Sequence, residues 1–256
     1  MSRLFAVYGR ELAYFYSSIV AYVVITIFVL LGGYFFYSLT AFFNMKSMEA
    51  MQNPMAAEQL SATEMVLQPL FSNLSIVMLL LTPLLTMRLL AEERKSGTAE
   101  LLFTYPISDW DVILGKYLAT LTVFCTMLGL TFVLPLLLSR HISPEWGPIL
   151  CSYLGLLLLG MAFIAMGLFF SSLSENQVVA GVLTFGLALL FWIIGWITPF
   201  VSATAASVVT QISILEHFEN FAKGVIDTHD IVYYLNFSIF FLFLCSRVLE
   251  SNRWRG

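Results

Sequence analysis

Charge is scarce in this chain: Asp, Glu, Lys and Arg make up 11% of its 256 residues, against 59% hydrophobic residues. That balance lies far outside soluble globular domains. No basic patch interleaved with aromatics occurs, which excludes nucleic acid as a ligand. The three cysteines, Cys125, Cys151 and Cys245, have no CxxC spacing. They read as small buried hydrophobes, neither thiolate ligands nor a disulfide framework. No G-x-x-x-x-G-K-[ST] phosphate loop is present, and GKYL at 115–118 has the lysine without the preceding glycine spacing. ATP is therefore not bound by that route. HExxH, paired intramembrane carboxylates and a nucleophile beside a base are missing too. No catalytic residue, bound cofactor or metal is assigned.

What is abundant is apolar sequence without interruption. No charge falls between Glu11 and Lys46, Glu64 and Arg88, Lys116 and Arg140, Glu145 and Glu175, Glu175 and Glu216, or Asp230 and Arg247. An apolar helix crosses the hydrocarbon core in roughly 20 residues. Five of these intervals suffice directly, and the last extends by snorkelling of Arg247. The reading is an all-α integral membrane protein with six spans near 19–42, 68–90, 111–138, 148–171, 177–199 and 231–249. Residues 1–256 form a single transmembrane domain. The first apolar run is too long for a signal peptide and reads as a retained span.

Orientation follows from lysine and arginine. One side holds Arg3, Arg10, Arg88, Arg94, Lys95, Lys116, Arg247, Arg253 and Arg255, and the other only Lys46, Arg140 and Lys223. The positive-inside rule places both termini in the cytoplasm. His141, His217 and His229 then face outward. Residues 1–17 read as an interfacial helix, with Leu4, Tyr8, Leu12 and Phe15 on one face and Arg3, Arg10 and Ser17 on the other.

The scarce charge is concentrated in AEERKSGTAELLFTYPISDWDVILGK, residues 91–116. The second span is expected to continue through Glu92, Glu93, Arg94 and Lys95, and Gly97 to stop it in a left-handed conformation. Thr98 caps a short helix over AELLF. Pro106 ends that helix, and Ser108 with Asp111 has capping-box spacing for the third span. Such a segment suits either transmission of force from a cytoplasmic partner or a loop resting on lipid headgroups. Ser174 and Gln177 repeat the capping-box spacing before the fifth span. Pro83, inside the second span and flanked by Thr82 and Thr86, is a static kink or a candidate hinge. Met45, Met48, Met51 and Met55, at helical spacing, read as an adaptable apolar face in preference to a copper(I) site.

The stretch LLAEERKSGTAELLFTYPISDWDVILGKYL resembles the hallmark region of ABC-2 type permeases, in particular the gliding-motility-type subfamily. GLFFSSLSENQVVAG at 167–181 and SILEHFENFAKGVIDTHDIVYYL at 213–235 resemble it further. The resemblance covers the chain from Arg88 onward. It implies that residues 91–107 are a coupling helix docking into a separate ATPase subunit. The coupling residues are then Glu92, Glu93, Arg94, Lys95, Gly97, Thr98, Glu100, Leu101, Leu102, Phe103 and Pro106. It further implies two ATPase copies carrying ATP and magnesium, and a second permease subunit, identical or related. Short re-entrant helices in 200–230 and residence in a bacterial inner membrane are also implied. An extracytoplasmic partner is compatible with it.

No ionisable residue falls at the middle of any expected span. Ion-coupled carriers need such groups, so a secondary transporter is disfavoured. The remaining readings are an exporting permease with an amphipathic or lipid-like cargo, or a mechanotransmission subunit that passes no cargo.

Overall fold

The computed structural model describes residues 3–50, 61–97, 108–140 and 144–253, and every element among them is helical. The expected helix with Thr98, Glu100, Leu101, Leu102 and Phe103, its stop at Pro106, and Met51, Met55 and His141 lie outside the described residues.

Helix α1 (Arg3–Ser17) is followed by α2 (Ile19–Ala50), which runs eight residues past the expected end. Its extra turns carry Lys46 and Glu49, ion-paired at 2.8 Å. A widened turn at Thr63–Leu67 leads into α3 (Gln68–Thr86), and α4 (Ala91–Lys95) follows after a break. The third span is α5 (Asp109–Thr131) and α6 (Val133–Ser139), stepped at Phe132. Pro135 accounts for the step, since it has no N–H for the carbonyl four residues earlier. Then come α7 (Trp146–Leu173) and α8 (Gln177–Ile193), with a tighter turn over Ile194–Phe200 that includes Pro199. Short α9 (Ala203–Ile212) and α10 (Ile214–Ala222) precede α11 (Thr228–Arg253). Six of these helical runs are long and apolar enough to cross a membrane.

Two expected caps differ in detail. Asn176, not Ser174, caps α8: its side-chain oxygen accepts from the Val178 amide at 2.9 Å, while Ser174 Oγ accepts from the Asn176 amide. The helix starts at Gln177, so Ser174 sits too early to reach its free amides. Ser108 occupies the cap position of α5 without a side-chain hydrogen bond. Asp109 and Asp111 in that first turn oppose the positive end of the helix dipole instead.

Helix α7 is the axis of the bundle, with α3, α5, α8, α10 and α11 packed around it. Leu156, Leu159, Phe163 and Met166 are wholly enclosed there. Lipid tails are as apolar as leucine, so association in a membrane rests on close fit. Gly167 supplies such a fit: a Cβ there would collide with the Thr86 side chain. Helices α2 and α8 turn apolar side chains outward, including Leu30, Tyr34, Val178 and Val182. Cys151 and Cys245 are buried as expected, whereas Cys125 is exposed on the outer face of α5.

Candidate coupling site

The segment beyond the second span does not continue it. Helix α3 passes through Pro83 to Thr86, residues 87–90 form a turn, and Leu90 leaves the helical region at φ −121°, ψ −30°. The expected continuous extension is therefore corrected to a stepped one. Ser171 on α7 explains the step. Its hydroxyl oxygen accepts from the amides of Leu90 (2.9 Å) and Ala91 (3.1 Å), and it donates to the Met87 carbonyl (3.0 Å). Three backbone groups that a continuous helix would pair internally are thus satisfied by one side chain. Near Pro83, Thr86 donates to the Thr82 carbonyl at 3.0 Å, while the buried Thr82 hydroxyl has no partner among the described residues.

A five-residue helix is far below the length that is stable alone, so contacts from elsewhere must hold α4. Its own charges help: Glu92 and Glu93 lie in the first turn, Arg94 and Lys95 in the last, matching the helix dipole. Gly97 ends it at φ +71° as expected, a conformation that costs glycine least.

The tertiary contacts are ionic. Lys116 Nζ on α5 donates to Glu93 Oε1 at 3.0 Å and to Glu11 Oε1 on α1 at 2.9 Å. Arg10 bridges the same two carboxylates at 2.8 and 2.7 Å. Tyr14 donates to Glu92 at 3.0 Å, and Arg94 donates to the Ser172 carbonyl with Glu175 at 3.9 Å. Two cations thus alternate with two carboxylates, and Lys116 is only 1% exposed. Burial by itself pushes the Glu11 carboxyl up. Lys116 and then Arg10 more than offset this, so it sits below its ordinary value of 4.5. Beneath the cluster, Arg88 lies over the rings of Tyr14 and Phe15 at 4.9 and 5.4 Å and donates to Ser18 at 2.9 Å. A cavity of about 220 Å³ opens between them.

Of the expected coupling residues, Glu92, Glu93 and Arg94 face their own chain, while Lys95 and Gly97 are exposed. Sequence reasoning missed Arg10, Glu11, Lys116, Ser171 and Gly167. A signal existed for Glu11: Val7, Glu11 and Phe15 are the buried residues of α1, spaced by four, so one charge sits on an apolar stripe. The face expected from periodicity, Leu4, Tyr8, Leu12 and Phe15, overlaps the observed one: Phe15 is buried and the other three are half-buried beside the stripe, so the helix does not simply rest on lipid. Helix α1 packs instead across α5, with Val7 against Gly115 and Tyr8 bonded to Thr122 at 3.1 Å.

This arrangement makes α4 a spur held from three directions, by α1, α5 and α7. Comparison with known proteins adds an identity. The "Probable multidrug ABC transporter permease YbhR" of Escherichia coli (strain K12) is 25% identical over 138 residues, covering 53% of this chain and 37% of that protein. The protein of the same name from Escherichia coli O157:H7 matches equally. The aligned region thus spans a little over a third of these relatives. The family described as ABC-2 family transporter protein matches residues 5–253, nearly the whole chain. The chain belongs to that family, as an integral membrane permease of the ABC-2 transporter type.

Proposed function

We propose that this chain is the membrane subunit of an ATP-driven exporter of the gliding-motility-type subfamily, coupled through residues 91–107 to a separate ATPase. The observation that carries the reading is the attachment of α4. Glu93 is tied to α1 and α5, and the backbone at 90–91 to α7. A push on the spur therefore reaches three helices at once. Leu101, Leu102 and Phe103 supply the apolar contact with the motor, and Lys95 a peripheral charge. ATP and magnesium reside on two ATPase copies, and a second permease subunit completes the assembly. The chain is a single transmembrane domain in a bacterial inner membrane, with α9 and α10 as the re-entrant pair. A cargo with apolar surface fits the absence of ionisable residues at the middle of the expected spans, in keeping with the multidrug designation of the E. coli relative.

Leu102→Asp should weaken co-purification of the ATPase at least tenfold, since a fully enclosed apolar side chain contributes about 1.5–3 kcal/mol. Lys95→Ala should do far less, because exposed ion pairs are worth about 0–1 kcal/mol. Retention of the ATPase and of coupled activity by Leu102→Asp would move the docking site elsewhere.

Both termini and the spur are cytoplasmic in this reading, on the nine-to-three lysine and arginine bias. Single cysteines at positions 46, 140 and 223, in a cysteine-free background, should react with an impermeant maleimide from outside. Reaction only after the cytoplasmic face is opened reverses the orientation.

A further inference from the structure

At the end of the bundle opposite α4, the short helix α10 and the start of α11 bring together two histidines and a carboxylate. Ser213 opens α10 and its hydroxyl caps the Glu216 amide, which sets His217 and Asn220 on the side facing α11. Gly224, at φ +82°, lets the chain turn back. Asp227 then accepts from the His229 amide at 2.9 Å as α11 begins. His217 and Asp230 are buried, at 5% and 3% exposure, and the imidazole stacks on Tyr233 at 3.9 Å.

The hydrogen bonds constrain the imidazole. His217 Nε2 lies 3.2 Å from the Gln211 carbonyl, which can only accept, so Nε2 carries a hydrogen. Nδ1 then points at Asp230 Oδ1, 2.6 Å away. A lone pair and a carboxylate oxygen so close require something positive between them, either a proton or a metal ion. The other oxygen of Asp230 accepts from Asn220 Nδ2 at 2.9 Å. His229 Nδ1 lies 3.9 Å from the same Asp230 Oδ1, and the three donor atoms fall within 4.8 Å of one another.

This pattern matches a metal site with its supporting contacts in place. Metal-bound histidines nearly always donate their second ring N–H to a carbonyl or carboxylate, and ligating carboxylates are themselves hydrogen-bonded. The cluster opens into a polar pocket of about 270 Å³. Glu216, Glu219, Asp227 and Asp230 line it against a single lysine, Lys223, itself 3.2 Å from Glu219. A cleft so biased concentrates cations. Two imidazoles and a carboxylate, with a position left for water, suit a zinc-type ion better than calcium or magnesium, which prefer all-oxygen sets.

We propose that His217 Nδ1, His229 Nδ1 and one oxygen of Asp230 bind a divalent transition-metal ion of the zinc class. The ion takes the place of the proton shared by His217 and Asp230, and that proton leaves to solvent. Binding clasps α10 to the first turn of α11, so the last span and the hairpin before it move as one. The sequence assigns no metal, and places the histidines only on the outward side. Asp230 then appeared merely as the flank of a span, and folding alone brings it to His217.

The test uses tag-free, chelator-stripped protein in detergent, titrated with cobalt(II) and then zinc(II). The wild type should bind one cobalt per chain, with visible ligand-field bands that one equivalent of zinc abolishes. His229→Ala should weaken binding at least tenfold. His229 is exposed, so its loss leaves packing intact. Asn220→Ala, which frees the Asp230 carboxylate, should weaken binding by about 10–100-fold. Absence of the bands in the wild type, or an unchanged titration in His229→Ala, overturns the assignment.

Discussion

Lys116→Met should destabilise the protein by about 3–5 kcal/mol, the usual cost of removing one partner from a buried ion pair. Methionine keeps much of the lysine stem's bulk, so the loss is electrostatic. Without the ammonium, Glu11 and Glu93 face each other across the half-exposed Arg10. Thermal unfolding in detergent should show the drop, and Glu11→Gln in the same background should recover part of it. The pH dependence has a definite sign. In the wild type the Glu11 carboxyl is lowered from 4.5. It therefore contributes stability above that value, which is lost as pH falls through the lowered one. In Lys116→Met its main counter-charge is gone and burial acts with less opposition, so acidification neutralises an unfavourable charge. The gap between wild type and variant should narrow as pH falls. A gap near zero at every pH would mean that α4 is held by other contacts.

Ser171→Ala should release the step between α3 and α4. The change leaves the amides of Leu90 and Ala91 without their partner, and an unsatisfied buried donor costs about 1–3 kcal/mol. The penalty is relieved where residues 87–91 open and let water reach those amides. Hydrogen exchange should then accelerate at residues 90–91 and, under the proposed coupling, ATPase stimulation by cargo should fall while the ATPase stays bound. Ser172→Ala is the control, because that hydroxyl donates to the Phe169 carbonyl of its own helix at 2.6 Å and not to the step between α3 and α4. Equal effects from both serines would rule out a special role for Ser171. Gly167→Val should reproduce the Ser171 phenotype from one turn away, by driving Thr86 off α7.

The sequence by itself determined the helical class and the number of spans, because long charge-free intervals are a property of neighbours along the chain. It also located the end of α4 at Gly97, since the need for a left-handed residue after a helix is local. Helix ends in the membrane were less legible. α2 continues to Ala50, with Lys46 and Glu49 paired on its surface, and the cap of α8 moved from Ser174 to Asn176 because that helix begins later than its pattern suggests. Only the tertiary structure decided the sites. Glu11 and Lys116, 105 residues apart, look like ordinary interfacial charges until α1 is laid across α5. Ser171 reads as one hydroxyl among many in an apolar helix until α7 brings it under Leu90. His217 and Asp230 are ring nitrogen and carboxylate on different helices until Gly224 folds one onto the other. Apolar length records a preference for lipid over water that each segment expresses alone. A buried charge or hydroxyl acquires its role from whatever the remaining helices place within about 3 Å of it, and no local pattern carries that information.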